Sequence, residues 1–439
     1  MAVTTKITPK FSALIPLFVF VFTFLGVGIY QNDFYALPAP IAVIVGVIVA
    51  FLMFGQSIST KISTFLKGCG DEKILTMCLI YLLAGAFAAI TTKTGSVDAI
   101  VNMGLDFIAL QYIYVGIFVI AGFLSVSTGT SVGSIVALAP IVVGFANESS
   151  ADLTLLCGAL LGGSMFGDNL SVISDTTIAA TQSLECKMSD KFRQNIKIAL
   201  PAALFTMGIL LFQGWDLTSV ETEAATYSYS VLKILPYVLV IVLSIIGVNV
   251  FVTLLLGVLS AGLLGIVSGD FTLMESTRIA YTGFTNMTEI FLLSLLTGGL
   301  AALVEKNGGI DYILVNIKKR IKSKKTAQLG IATLVGTTNM AIANNTVSII
   351  ITGPIAKIIN DDYGLDNKST ASILDIFACI SQGLLPYGAQ VLMILSFSNG
   401  RLDYLDLVFN TWYLLLLLIY TLIYINFSSI WNKRPKNLF

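Results

Sequence analysis

Apolar runs recur along the whole chain, at about 11–30, 39–56, 74–92, 110–146, 152–182, 196–213, 231–247, 249–268, 288–305, 327–358, 370–398 and 404–428. Most come close to the roughly 20 residues a helix needs to cross a bilayer. The runs are continuous rather than alternating, which predicts helices and argues against the strands of a β-barrel. Four runs are interrupted at their centres by polar, glycine-rich stretches, at 127–134, 163–177, 339–348 and 381–390. The pattern predicts an all-α polytopic membrane protein. Composition agrees: 56% of residues are hydrophobic and 11% charged, where a soluble protein carries about 25% charged residues. A large soluble core is excluded because soluble helices need a polar face.

The chain repeats itself. Leu83–Asp98 (LAGAFAAITTKTGSVD) matches Leu296–Asp311 (LTGGLAALVEKNGGID), with Gly85/Gly298, Lys93/Lys306, Gly95/Gly308 and Asp98/Asp311 coinciding at one constant offset. Thr130-Ser131, Ser134 and Pro140 match Asn344-Asn345, Ser348 and Pro354 at an offset longer by a single position. Basic residues gather at Lys6/Lys10, Lys61/Lys67/Lys73, Lys187/Lys191/Arg193/Lys197, Lys318–Lys325 and Lys433/Arg434/Lys436. The loop bearing Asp216, Glu221 and Glu223 has no Lys or Arg and should face out. These sides close only if 110–146 and 327–358 each enter and leave on one side, as re-entrant hairpins. The two repeats then run in opposite senses across the membrane. The expected layout is an N-terminal helix (1–38), repeat one (39–213, hairpin 110–146, broken helix 152–182) and a connecting helix (214–248). Repeat two (249–428, hairpin 327–358, broken helix 370–398) and a cytoplasmic tail (429–439) follow. That gives about ten spanning helices, both ends in the cytoplasm, in a cell's inner (plasma) membrane. A homodimer is an assembly the pattern leaves open.

Formal net charge is zero, which makes nucleic acid an unsuitable partner. The five cysteines (Cys69, Cys78, Cys157, Cys186, Cys379) lack metal-ligand spacing and read as small core or loop residues. The absence of histidine removes imidazole metal ligands and imidazole bases. Residues 11–30 follow Lys6 and Lys10, but the run is too long for a signal-peptide core and reads as the first membrane helix. No P-loop, CxxC or nucleophile–base set is present, so neither ATP-driven transport nor an enzyme is supported and no cofactor is called for.

The chemistry lies in the interruptions, since irregular backbone at membrane depth survives only when buried in protein or lining a wet cavity. In 163–177, Asp168 and Asp175 stand among Asn169, Ser171, Ser174, Thr176 and Thr177. Each carboxylate in hydrocarbon costs roughly 2.5–3.5 kcal/mol and needs a partner. Clustered oxygens suit a small hard cation, a proton, or both in competition. The first tip adds the hydroxyls of Ser127, Thr128, Thr130 and Ser131. Its mate supplies Asn339, Asn344, Asn345, Thr346 and Ser348, whose amides can bind a cation through oxygen or a carboxylate through nitrogen. Gln382, Tyr387 and Gln390 of the fourth interruption are candidates to face a substrate, beside the helix-breaking Pro386. Glu289 either lines a vestibule or caps a helix N-terminus. Lys93/Lys306 and Asp98/Asp311 sit where snorkelling and capping explain them.

Gly167-Asp168-Asn169-Leu170-Ser171-Val172-Ile173-Ser174-Asp175-Thr176-Thr177 resembles the signature of the NhaC-type sodium/proton antiporter family, part of a wider ion-transporter superfamily built on inverted repeats with re-entrant hairpins. Gly167, Asp168, Ser171, Ser174, Asp175, Thr176 and Thr177 fit the signature. That family commonly shows Lys where Asn169 stands and Pro where Val172 stands. The resemblance implies coupling to sodium. It also takes in sodium-coupled amino-acid carriers and exchangers of organic acids such as malate and lactate.

Two readings follow. In the first, cytoplasmic sodium exchanges for external protons, with Asp168 and Asp175 binding either ion and one repeat moving against the other. In the second, sodium or protons drive a small organic solute, its carboxylate held by Asn344, Asn345, Thr346 and helix N-termini. A channel or scaffold is disfavoured by the repeat and the intramembrane carboxylates. In either reading Asp168→Asn and Asp175→Asn each abolish sodium-dependent transport.

Overall fold

The protein is described from a computed structural model covering residues 8–31, 37–107, 109–171, 174–217, 229–246 and 248–431. Its described residues form 21 α-helices and no strand. In chain order the first ten are α1 (Ile15–Gln31), α2 (Ala39–Met53), α3 (Ile58–Cys69), α4 (Glu72–Lys93), α5 (Ser96–Phe107), α6 (Ile113–Thr128), α7 (Ser131–Glu148), α8 (Leu153–Leu170), α9 (Asp175–Ser183) and α10 (Met188–Gly214). They are followed by α11 (Val231–Ile245), α12 (Val250–Val267), α13 (Leu273–Asn286), α14 (Thr288–Lys306), α15 (Gly309–Arg320), α16 (Lys324–Ile342), α17 (Asn345–Asp362), α18 (Asn367–Leu384), α19 (Ala389–Phe397), α20 (Tyr404–Asn410) and α21 (Trp412–Trp431).

The order of elements is itself periodic. Helices α1 to α10 are followed by α11 to α20 in the same sequence, and the members of each pair start at nearly the same separation along the chain. Around the interruptions that separation is constant: Ser131 with Asn345, Leu153 with Asn367, and Asp175 with Ala389 keep one register. A 54° bend joins α20 to α21, which together answer to the single long α10.

Each interruption is a break between two helices. The first tip turns at Gly129, whose φ of 71° suits glycine. The equivalent turn puts Ala343 at φ 56°, a left-handed conformation that costs an L-residue roughly 1–2 kcal/mol. The α8–α9 break runs from Ser171 to Ser174, with 172 and 173 outside the described residues, and the α18–α19 break runs from Leu385 to Gly388.

Close packing of small residues joins the two sets. A Cβ on Gly85 of α4 would lie 2.2 Å from the Gly283 carbonyl oxygen of α13, and one on Gly68 of α3 would lie 2.4 Å from that of Gly298 in α14. Gly85 and Gly298 are the glycines that coincide in the repeat, so these two contacts are reciprocal. Large apolar side chains are exposed at helical spacing, as with Ile41, Ile44, Ile48 and Leu52 on α2 and Leu204, Phe205 and Phe212 on α10. Such faces fit a hydrocarbon surround.

Hydropathy predicts about ten spans. Among the described residues eight helices are long and apolar enough to cross a membrane, or nine if the bent α20–α21 pair is one span. The runs at 11–30, 39–56 and 231–247 yield shorter apolar helices, Phe11–Val27, Ala39–Met53 and Val231–Leu243. Glu289 resolves as a cap, though not of its own helix: its Oε1 accepts from the Ala39 backbone N at 3.2 Å, at the start of α2. All five cysteines are free thiols and four are buried, as core packing requires.

Candidate functional site

Asp168 sits in the last turn of α8 and is 4% exposed. Its helix is pressed against α6: a Cβ on Gly167 would fall 2.3 Å from the Gly122 carbonyl oxygen and 2.5 Å from the Ser125 Cβ. Ser125 Oγ donates to the Ser164 carbonyl (2.7 Å), and Ser171 Oγ donates to the Val126 carbonyl (2.9 Å). These bonds fix the depth of Asp168 relative to the first tip.

Both carboxylate oxygens are occupied. Ser131 Oγ donates to Oδ2 at 2.8 Å, and Ser174 Oγ donates to Oδ1 at 2.6 Å. Ser131 is the first residue of α7 and Ser174 is the N-cap of α9, so two positive helix ends also face the carboxylate. Hydrogen bonds to a charged group contribute about 1.5–3 kcal/mol each, comparable to the cost of burial. Beyond Ser131 the network crosses to the second set: Gln390 Nε2 donates to Ser131 Oγ (2.9 Å), and Gln382 Nε2 donates to Gln390 Oε1 (3.1 Å) and to the Ala343 carbonyl (3.3 Å). Gln382 occupies the register of Asp168 in the second set. Loss of the Ser131 hydroxyl should weaken cation binding about tenfold, the worth of one such bond. The sodium dependence of transport in Ser131→Ala checks this.

Asp168, Ser131 and Ser174 border an open cavity of about 360 Å³. Thr130, Asp175, Thr176, Asn344, Asn345, Thr346, Gln382 and Gln390 also line it, so most of the residues singled out by sequence share one space. Asp175 is exposed there, and Asp168 is the buried carboxylate of the two. The others do not line it. Ser127 Oγ donates to the Phe123 carbonyl, and Thr128 bonds with Thr130 inside the turn. Asn339 donates to the Ala378 carbonyl and accepts from Ser348 Oγ, tying α16 to α17 and α18. Tyr387 donates to the Met340 carbonyl and packs on Phe20, ring centroids 5.0 Å apart. Asn169, Ser171 and Thr177 do not line the cavity: Ser171 bonds to α6, and Asn169 and Thr177 accept from Lys191 of α10.

Asn169 and Thr177 belong to a second polar cluster, which sequence reasoning missed. Lys191 of α10 and Asp375 of α18 form an ion pair at 2.6 Å, with side chains 1% and 0% exposed. Lys191 Nζ also donates to Thr177 Oγ1 (2.6 Å) and to the Asn169 carbonyl (3.1 Å), engaging all three of its protons. Asn195 Nδ2 donates to Asp375 Oδ2 (3.0 Å) and to the Asn169 carbonyl (2.7 Å), and Ser372 Oγ donates to Asn195 Oδ1. Removing one member of such a pair typically costs about 3–5 kcal/mol. Its place in the chain puts Lys191 among the basic residues at the start of α10; it is buried, while Lys187, Arg193 and Lys197 are exposed. Asp375 carried a usable signal, since a lone carboxylate within 370–398 poses the same cost as Asp168. The cavity wall formed by Glu72, Thr76, Met77 and Ile80 of α4 was also missed. These four share one helix face, but nothing in their types marks it.

The sequence profile of the Na+/H+ antiporter family matches residues 2–215 and again 213–428, together nearly the whole chain. The chain belongs to the Na+/H+ antiporter family. This antiporter-family member is therefore a multi-pass membrane protein and a secondary transporter, not an enzyme. It is 24% identical to the malate-2H+/Na+-lactate antiporter of Bacillus subtilis, over 85% of this chain and 88% of that protein. It is 24% identical to the Na+/H+ antiporter NhaC of the same organism, over 82% and 86%. It is 27% identical to the arginine/ornithine antiporter ArcD of Halobacterium salinarum, over 77% and 76%. The Alcanivorax borkumensis YdaH transporter superposes with a TM-score of 0.45 at 13% identity, over 86% of this chain and 90% of that one.

Proposed function

We propose that this chain exchanges sodium for protons by alternating access, with the Asp168 carboxylate holding one ion or the other. The observation that carries this is the setting of Asp168: buried, facing an open cavity, and met by two serine hydroxyls that can donate to the carboxylate or turn an oxygen lone pair towards a cation. Ser131 and Ser174 are the neutral groups that meet the carboxylate, and the Gln390 amide nitrogen holds Ser131 in turn. Asp175, at the exposed wall, acts by attracting cations into the cavity. Asp175→Asn therefore should weaken apparent sodium affinity by about two- to fivefold, the range of an exposed charge, rather than abolish transport. A sodium titration of flux in this variant checks the difference.

The periodic element order supports reading the two sets of helices as inverted repeats. In that arrangement α6–α7 and α16–α17 are re-entrant hairpins, α8–α9 and α18–α19 are broken helices, and both termini are cytoplasmic in the inner (plasma) membrane. Residues at or beside all four breaks line the one cavity, which supports this arrangement.

A second reading has its own support. A cavity of about 360 Å³ is in the range of small-molecule sites and exceeds what one bare ion fills. Asn344 to Thr346 sit at the N-terminus of α17, where a solute carboxylate would be favoured. Relatives whose names include malate, lactate and arginine fit such a solute. Proteoliposomes with an internal pH dye separate the readings. Proton flux on a sodium pulse alone establishes plain exchange; flux only after an amino acid or small carboxylate is added establishes a coupled solute carrier.

A further inference from the structure

We propose that the buried Lys191–Asp375 pair sets the charge of the carrier, so that the empty site carries one net negative charge and does not cross the membrane, while the site holding one sodium ion or one proton is neutral and crosses. This rests on the exchange reading above and adds its stoichiometry, one sodium for one proton.

The buried charges at the site sum to a single negative one. Asp168, Lys191 and Asp375 are buried, while Glu72 and Asp175, the other charged groups on the cavity wall, are exposed to water. Exposed charges are screened by solvent and salt. Lys191 directs its three protons to Asp375 Oδ2, to Thr177 Oγ1 and to the carbonyl of Asn169, the residue next to Asp168. It thus holds both sides of the α8–α9 break while its charge is matched by Asp375. The pair contributes zero, which leaves the single charge of Asp168 for the transported ion. A carrier with a charge left over would be expensive in hydrocarbon and would feel the membrane potential in full. One monovalent cation removes that charge; two would restore one of opposite sign. Asp375 Oδ1 is buried without a hydrogen-bond partner among the described residues, so the cluster has polar capacity beyond what its packing uses.

The test compares sodium binding by the purified full chain, read as the sodium-dependent rise in melting temperature. The two single changes should have opposite effects. Asp375→Asn leaves Lys191 unmatched, its Nζ bonded to the carbonyl of the residue next to Asp168, and weakens sodium binding at least about tenfold. Lys191→Gln leaves an extra negative charge and does not weaken sodium binding. The double variant restores the net charge and returns to within about threefold of the parent, additivity having failed as it must for a coupled pair. Lys191→Met, which keeps the stem and lacks the charge, gives the same direction as Lys191→Gln and covers the case in which the glutamine variant does not fold. If both single changes weaken sodium binding alike and the double variant is no better, the pair is only a brace and the proposal is wrong. In liposomes, an imposed potential should change the parent's exchange rate by less than about twofold, since no net charge moves; a strong dependence also overturns it. Sodium binding is measured without flux, so failure of sodium to drive protons counts against the exchange reading and not against the pair.

Discussion

Replacing Asp168 with asparagine abolishes sodium-dependent transport and leaves an inserted, folded protein. The amide has the shape of the carboxylate and can still meet Ser131 and Ser174, whose oxygens lie 2.8 and 2.6 Å from it. It carries neither the charge that holds sodium nor a site that takes up a proton. Loss of a buried charge partner costs about 3–5 kcal/mol, which corresponds to a loss of sodium affinity of at least roughly a hundredfold. The control is the sodium-independent melting temperature, which should change little. Wild-type transport by Asp168→Asn would mean that the ion binds elsewhere in the cavity, with exposed Asp175 and Glu72 the groups to examine next.

The second large effect is expected at a residue with no polar chemistry. Gly167→Val puts side-chain carbon into the seam between α8 and α6, where even a Cβ would fall 2.3 Å from the Gly122 carbonyl oxygen. Backbone cannot yield as a side chain does, so the cost lies near the upper end of the roughly 1–3 kcal/mol typical of overpacking. Asp168 is the next residue, and any shift of α8 moves its carboxylate away from Ser131. The expected result is loss of transport together with a lowered melting temperature. Gly116→Ala, on the α6 side of the same helix pair, is the matched control, because a Cβ there meets nothing within 4 Å. Its transport and stability should stay at the parent's level. Equal tolerance of the two changes would show that the seam does not position Asp168.

Much of this arrangement was legible in the sequence, for one physical reason: polar groups inside apolar runs are costly, so each marks a place where the fold supplies a partner. That logic led to Asp168, Ser131, Ser174, Asn344, Gln382 and Gln390, which the structure gathers around one cavity. It could not say which polar groups serve an ion and which serve the scaffold. Asn339, Ser348 and Tyr387 satisfy neighbouring carbonyls or hydroxyls and leave the cavity to others. Nor could it pair Lys191 with Asp375, which belong to opposite halves of the chain. Lys191 sits among exposed basic residues, and only the three-dimensional packing of α10 against α18 shows that it is buried. Helix lengths were the other gap. Runs that read as full spans give α2 and α11 only 15 residues each, because hydropathy registers apolar residues whether or not they are helical.

In the proposed exchange one carboxylate, Asp168, holds sodium or a proton but not both. The direct measurement is sodium binding to the purified protein at two pH values one unit apart, below the pH at which Asp168 loses its proton. Competition for one carboxylate predicts that apparent sodium affinity falls by about tenfold at the lower pH, the slope of one proton displaced per ion bound, with no change in the number of sites and no binding in Asp168→Asn. Sodium affinity independent of pH throughout the titratable range, or sodium binding preserved in Asp168→Asn, would contradict it.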